Sequence, residues 1–384
     1  METIERHCTA VRKWRWIYAL RCCAAAVLLM GSSWTFAQSV VFINPGKSDE
    51  AYWVAAADVM HKAADSLGMQ LRVVYAQRDR LAPIEIAKSI AAQSPEQRPD
   101  YVVFTNDYSV APSILQALAG SGIKAFIAFS GIQDDLRKQV GQPREHYPFW
   151  LGSLEPNAED AGYLTARALI RAASKQPNMR DDQGRLQMVA IAGDRSTPSS
   201  IARNRGMRKA VKDAGGAVQL MQEVYGEWRQ DKAQLQADVL FKRYPQVRLV
   251  WSGNDVMALG AMKAWQDKGG VPGKDAVFSG VNTSGDAFEK LREGQLTALA
   301  GGHFLAGAWS LVMLYDYHHG VDFASEGIEQ VRPMFKLFDA HSSAQFEKRF
   351  GPHQATERLD FKPFSKHLHP KLRSYDFDME KLLR

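Results

Sequence analysis

The feature that most constrains this chain is an alternation that occurs twice. Short β-rich runs alternate with helical patterns: SVVFI (39–43) then AYWVAAADVMHKAADSL (51–67), QLRVVYA then APIEIAKSIAAQ, YVVFT (101–105) then APSILQALAGSG, and KAFIAF (124–129). In 51–67 the residues Trp53, Ala56, Ala57, Met60, Ala64 and Leu67 recur at helical spacing, and Gly68 supplies the stop. Strands joined by helical crossovers lie parallel in a sheet covered on both faces. The rhythm breaks at QPREHYPFWLGSLEPNAED (142–160), which carries three prolines, and a long helical stretch follows. It then resumes from LQMVAIA (186–192) through LTALAG and FLAGAWSLVMLYDYHHG. The pattern predicts two similar α/β lobes, each a doubly wound parallel sheet. From about residue 340 it ceases. The charged, aromatic stretch 341–384 reads as an extension that wraps over a lobe or faces a partner.

The start of the chain bears on where those lobes work. Arg6, Arg12, Lys13, Arg15 and Arg21 form a basic segment, CCAAAVLLM (22–30) is apolar but short for a membrane span, and small Thr35 and Ala37 stand at −3 and −1 of a cleavage position before Gln38. Residues 1–37 therefore read as a secretory signal, and the body as a periplasmic protein. Removing them takes five basic and two acidic residues and lowers the net charge from +6 to +3. That leaves no dense Lys/Arg stripe for tracking phosphates, so a nucleic-acid partner is not expected. All three cysteines, Cys8, Cys22 and Cys23, fall in the signal. The body then has neither a disulfide framework nor a thiolate metal site.

Several motifs of catalysis can be set aside. Pro45-Gly46-Lys47-Ser48 lacks the first glycine of a phosphate-binding loop, because five residues before Gly46 stands Val41, inside the first strand. His318-His319 and His367/His369 lack metal-ligand spacing, so neither a metal nor a cofactor is expected. No G-x-S-x-G elbow occurs, and the serines of RSTPSSIAR (195–203) suit a helix N-terminus. No catalytic residue is assigned, and the chain reads as a binder.

What remains is a recurrence at the strand ends. VVFTNDYS ends in Asn106-Asp107, LVWSGNDVMALG in Asn254-Asp255, and VFSGVNTSGD in Asn282-Thr283. Ligands of open parallel sheets bind outside the carboxyl ends of strands. Asn and Asp there offer donors and acceptors to a polyhydroxylated solute, although helix capping explains each cluster singly. Tyr52-Trp53 opens the first helix and Trp228 sits in a polar loop, YGEWRQDK. Flat rings at such places can stack on the apolar faces of a sugar.

These segments resemble the type I periplasmic solute-binding proteins of the ribose- and galactose-binding group, and also the autoinducer-2-binding periplasmic receptor. NDVMALGAMKAW (254–265) is similar to the family's N-D-x-M-A-L-G-A, and SSIARNRGMRKAV (199–211) to its S-x-x-R-x-R-G run. The resemblance covers roughly residues 39–340. It implies two lobes joined by three crossovers: 38–152 with 303–330, and 153–302 with 331–340. It implies closure around a small, carbohydrate-like solute. Carried over, Tyr52 and Trp53 face Trp228 as stacking walls. Asn106, Arg205, Asn254, Asp255 and Asn282 contact the ligand, with His303 at the last binding position. Asn282 stands where many pentose and hexose binders have Asp, and Phe129-Ser130 where ribose-type binders often have Asp-Arg. The implied partner is the membrane permease of an ABC importer or, alternatively, a membrane sensor protein, either kinase or cyclase.

Overall fold

The computed structural model describes residues 37–351 and 359–383. Residues 1–36, which hold all but the last residue of the expected secretory signal and all three cysteines, lie outside them. The first run of elements is β1 (Ser39–Asn44), α1 (Ala51–Leu67), β2 (Gln70–Tyr75), α2 (Ala82–Ala91), β3 (Tyr101–Phe104), α3 (Ala111–Leu118), β4 (Lys124–Ala128), α4 (Asp134–Val140) and β5 (Trp150–Pro156). The second is α5 (Ala158–Ser174), β6 (Leu186–Ala192), α6 (Pro198–Asp213), β7 (Val218–Tyr225), α7 (Gln230–Arg243), β8 (Leu249–Ser252), α8 (Asp255–Asp267), β9 (Val277–Val281), α9 (Gly285–Arg292) and β10 (Ala298–Gly301). Then come α10 (Ala306–His318), β11 (Glu329–Arg332), β12 (Lys336–Phe338), α11 (Ala340–Phe350) and α12 (Met379–Leu383).

Two six-stranded sheets result, in the orders β11-β5-β4-β3-β1-β2 and β12-β10-β9-β8-β6-β7. Every pairing is parallel except β12 on β10. Central strands such as β3 (YVVF) and β6 (LQMVAIA) are buried along their whole length, as sheets covered on both faces require. In the first lobe Phe42, Tyr101 and Phe126 pack toward α1 and α10, and Val41, Phe104 and Ile127 pack on the opposite side with Ile90, Ile114 and Leu118. In each sheet the strand order reverses between the first and third strands of the lobe, and that reversal opens a crevice at the strand ends.

The chain passes between the sheets after Pro156, after Gly301, and between Arg332 and Lys336. The first passage differs from the expected 152/153 boundary. The proline-rich break hides β5, because Trp150 to Pro156 pairs with β4 on one side and β11 on the other.

The C-terminal stretch wraps over both lobes. A capping box of Asp339 and Ser342 starts α11, whose Phe346 packs on Phe288 and Phe338 of the second lobe. Residues 359–378 lie on the first lobe, where Trp309 packs against Phe361, Phe364 and Phe377. The buried Asp316 carboxylate accepts from Ser365 Oγ, the Lys366 and His367 amides and Tyr375 Oη, at 2.5–3.1 Å. Then α12 returns to the second lobe through a Lys336–Glu380 ion pair. His318 bonds Tyr101 Oη, and His367 stacks on His319.

Candidate functional site

A narrow cavity, partly open to solvent, lies between the lobes at the carboxyl ends of the strands. Tyr52, Trp53, Trp228, Asn254, Asn282 and His303 line it. Each tryptophan rests on a glycine. A Cβ on Gly46 would fall 2.1 Å from the Trp53 ring, and one on Gly193 would fall 2.2 Å from the Trp228 ring. The glycine of the Pro-Gly-Lys-Ser motif is thus needed as space for an indole. Trp53 also meets Phe129 edge-on at 5.2 Å, and His303 is stacked between Tyr52 (4.8 Å) and Phe335 (4.4 Å).

Three expected contacts lie elsewhere. Arg205 projects into solvent and pairs with Glu159. The arginine of α6 that lines the cavity is Arg203, two residues earlier, hence on nearly the opposite side of the helix. The side chain of Asn106 is committed internally: Oδ1 accepts from the Ala111 amide at 2.9 Å and Nδ2 donates to Gly131 O at 2.8 Å. Its neighbour Asp107 faces the cavity instead. Asp255 sits behind the wall, accepting from Asn282 Nδ2 (3.0 Å) and from the amides of Val256 and Ser284. Its role is to orient Asn282.

The residues that sequence reasoning missed are the two arginines of the cavity, Arg78 and Arg203. Arg78 forms a two-point ion pair with Glu50 and lies 3.7 Å from Asp107. Burial works against the charge of Arg78, but Glu50 holds its pKa above the ordinary value. Burial pushes the Asp107 carboxyl up, and Arg78 partly offsets that. Burial also raises the Tyr52 phenol far above its ordinary value, so it is a neutral hydroxyl at any physiological pH. Two signals in the sequence pointed to these residues. The buried line of α6 runs Ser200, Arg203, Met207, Ala210, which excludes Arg205. And Tyr75-Ala76-Gln77-Arg78 parallels Tyr225-Gly226-Glu227-Trp228 at the ends of β2 and β7.

The cavity rim is built of unusual backbone. Gln77, Arg78, Tyr108, Ser109, Phe129, Glu227, Trp228 and Asn282 all have positive φ. Non-glycine residues held there cost free energy that the surroundings must offset, and such residues gather at ligand clamps. Across the mouth, Arg80 of the first lobe reaches Asp194 of the second at 2.9 Å, and Ser109 Oγ donates to Ser196 O at 3.2 Å. The lobes are therefore closed on the cavity. Among the described residues no group of His, Cys, Asp and Glu could hold a metal ion, and no helix is long and apolar enough to cross a membrane.

Two α/β lobes with three passages between them and a polar-aromatic cavity at the strand ends define the type I periplasmic binding fold. The chain belongs to the family described as periplasmic binding protein domain, whose model matches residues 40–320. It is similar to a periplasmic sugar-binding protein from Pseudomonas fluorescens, with 38% identity, 90% of this chain and 100% of the other covered, and a TM-score of 0.80. The fold is also that of the arabinose ABC transporter binding component from Shewanella sp. ANA-3, bound to arabinofuranose (19% identity, 83% and 96% covered, TM-score 0.67). The myo-inositol binding protein of Caulobacter shares it too (17%, 80% and 94% covered, TM-score 0.64). Among curated proteins, the PurR transcriptional repressor of Vibrio atlanticus is 26% identical over 113 residues, 29% of this chain and 30% of the repressor's length. The family is one of periplasmic solute binders.

Proposed function

We propose that this protein is the periplasmic solute receptor of an ABC importer, binding one carbohydrate of monosaccharide size by closure of its lobes. The observation that carries this reading is a cavity walled by Trp53 from one lobe and Trp228 from the other, with polar groups from both. A solute that touches both lobes favours the closed form by its differential affinity, and the closed form is the one a permease distinguishes. The Pseudomonas fluorescens relative, named as a sugar-binding protein, supports the ligand class, and the Shewanella protein, an ABC transporter component, supports the partner. Tyr52, Asn254, Asn282 and His303 would take hydroxyl groups, with Asp107, Glu50 and Arg78 on the facing wall.

A thermal-shift screen of sugars, polyols and sugar acids on residues 38–384 tests the reading, because a ligand that binds only the native state raises the melting temperature by mass action. A saturable shift by at least one monosaccharide, matched by calorimetry, is expected. The absence of a shift across the screen would remove it.

A further inference from the structure

We propose that the solute bears a carboxylate, making it a uronic or aldonic acid rather than a neutral sugar, and that this carboxylate sits on Arg203. The inference rests on the solute-receptor reading and goes further by assigning charge to the solute.

Arg203 is 5% exposed. Its Nη1 donates to Gly253 O at 2.7 Å and its Nη2 lies 3.0 Å from His303 Nε2. Its Nε is buried without a partner, and among the described residues no carboxylate forms an ion pair with it. Asp255 and Asp107 act on Arg203 only across a distance, and both are engaged elsewhere. Asp255 is held by Asn282, Ser284 and Val256, and Asp107 lies beside Arg78. Burial lowers the Arg203 pKa only to about 10, so the guanidinium is charged at neutral pH. A buried charge without a counter-ion is costly, and such a group calls for a partner.

His303 adds to the demand. A guanidinium can only donate, so His303 Nε2 accepts and the ring proton lies on Nδ1, a buried atom with no partner. Burial and then Arg203 press its pKa well below the ordinary value, which keeps the ring neutral. The indole N–H of Trp228, also buried and unpaired, is a third donor, and the Arg203 guanidinium lies 5.7 Å from the Trp228 ring centre. This side of the cavity therefore presents three donors, one of them charged, without an acceptor. On the first-lobe wall the indole N–H of Trp53 is unpaired too, but the guanidinium there, Arg78, already has Glu50 and Asp107. A sugar hydroxyl could accept one bond here but would bring a proton of its own and leave the charge uncompensated. A carboxylate brings acceptors only, together with the countercharge.

The test is calorimetry on the mature protein with matched pairs: galacturonate against galactose, glucuronate against glucose, gluconate and galactonate against the corresponding alditols. At least one acid is expected to bind about 100-fold more tightly than its neutral counterpart, as charge-assisted hydrogen bonds would give. In Arg203→Gln that ratio should fall below about tenfold, while Arg203→Lys retains a larger share of it. If the neutral member of each pair binds as tightly as the acid, the proposal is overturned and the solute-receptor reading stands. If neither class binds, both fall. The comparison within the native protein decides the matter even where the Arg203 variants fail to fold.

Discussion

The two lobes are built on one plan and use it differently. β1 and β6, β2 and β7, β3 and β8, and β4 and β9 hold matching places in the two sheets. After β2 the amides of Ala76 and Gln77 bond Asn44 O and Gly46 O, and after β7 those of Gly226 and Glu227 bond Ala192 O and Gly193 O. The next residue is left-handed in both turns, but it is Arg78 in one and Trp228 in the other. After β4 stands Phe129 and after β9 Asn282, again with positive φ. That exchange decides the fate of the matching acids. Asp255 finds the Asn282 amide and is enclosed, whereas Asp107 has Phe129 in that place and faces the cavity. One backbone design thus yields an ion-paired arginine in the first lobe and, in the second, an arginine with no carboxylate against it.

The most severe way to break this comparison is Asp255→Ala set beside Asp107→Ala. The first removes an acceptor of three hydrogen bonds and leaves buried donors unpaired, so a loss of about 2–4 kcal/mol of stability is expected in denaturant titration. The second should weaken solute binding while costing under about 1 kcal/mol of stability. Equal losses of stability would mean that the two acids play the same part.

Trp228→Ala should weaken binding by about 1–3 kcal/mol with the melting transition kept cooperative. An unchanged Kd would show that the second-lobe turn supplies shape alone.

Glu155 sharpens the contrast at the next strand. Gly301 holds its place in the second sheet, judged by the registers of Leu154 with Ala128 and Ala300 with Val281. Burial pushes the Glu155 carboxyl up to about 7, the Gly131 amide pulling the other way and Glu329 adding to the rise. The native state then binds more protons than the unfolded chain between pH 4.5 and 7, so this group makes stability fall as pH rises through that window. Glu155→Gln should flatten the slope and leave the protein about 1–3 kcal/mol more stable at pH 8, measured by urea titration at several pH values. A slope unaltered by the substitution would show that Glu155 ionises as freely in the fold as in water.

The smallest effect is expected from Arg205→Ala. Its side chain is 63% exposed, so stability should change by less than about 0.5 kcal/mol and Kd by less than about twofold. A large loss of binding would place Arg205, not Arg203, at the solute.

Particular residues show why some of this was legible. Trp53 and Trp228 stood out because large rings at the start of a helix and in a polar loop are conspicuous in one dimension. Asn254 marked both a cap and the cavity wall, since its Oδ1 accepts from the Met257 amide while the residue lines the cavity. Arg203 and Arg205 could be told apart only by following the buried line along α6. The strand β5 was hidden because its glycine and the prolines before and at its end obscure the pattern, and its pairing with β11 joins residues far apart in sequence.

The sequence by itself determined the alternation of strands and helices, its repetition, and hence two parallel sheets with a crevice at their strand ends. Those are consequences of local periodicity and of the handedness of crossovers. Only the tertiary structure decided which of two neighbouring polar residues turns inward after β3, where Asn106 is committed internally and Asp107 faces the cavity. It also decided which buried charge finds a partner. Pairing depends on groups brought within a few ångströms from distant parts of the chain, and nothing in linear order encodes that Arg78 meets Glu50 while Arg203 meets His303.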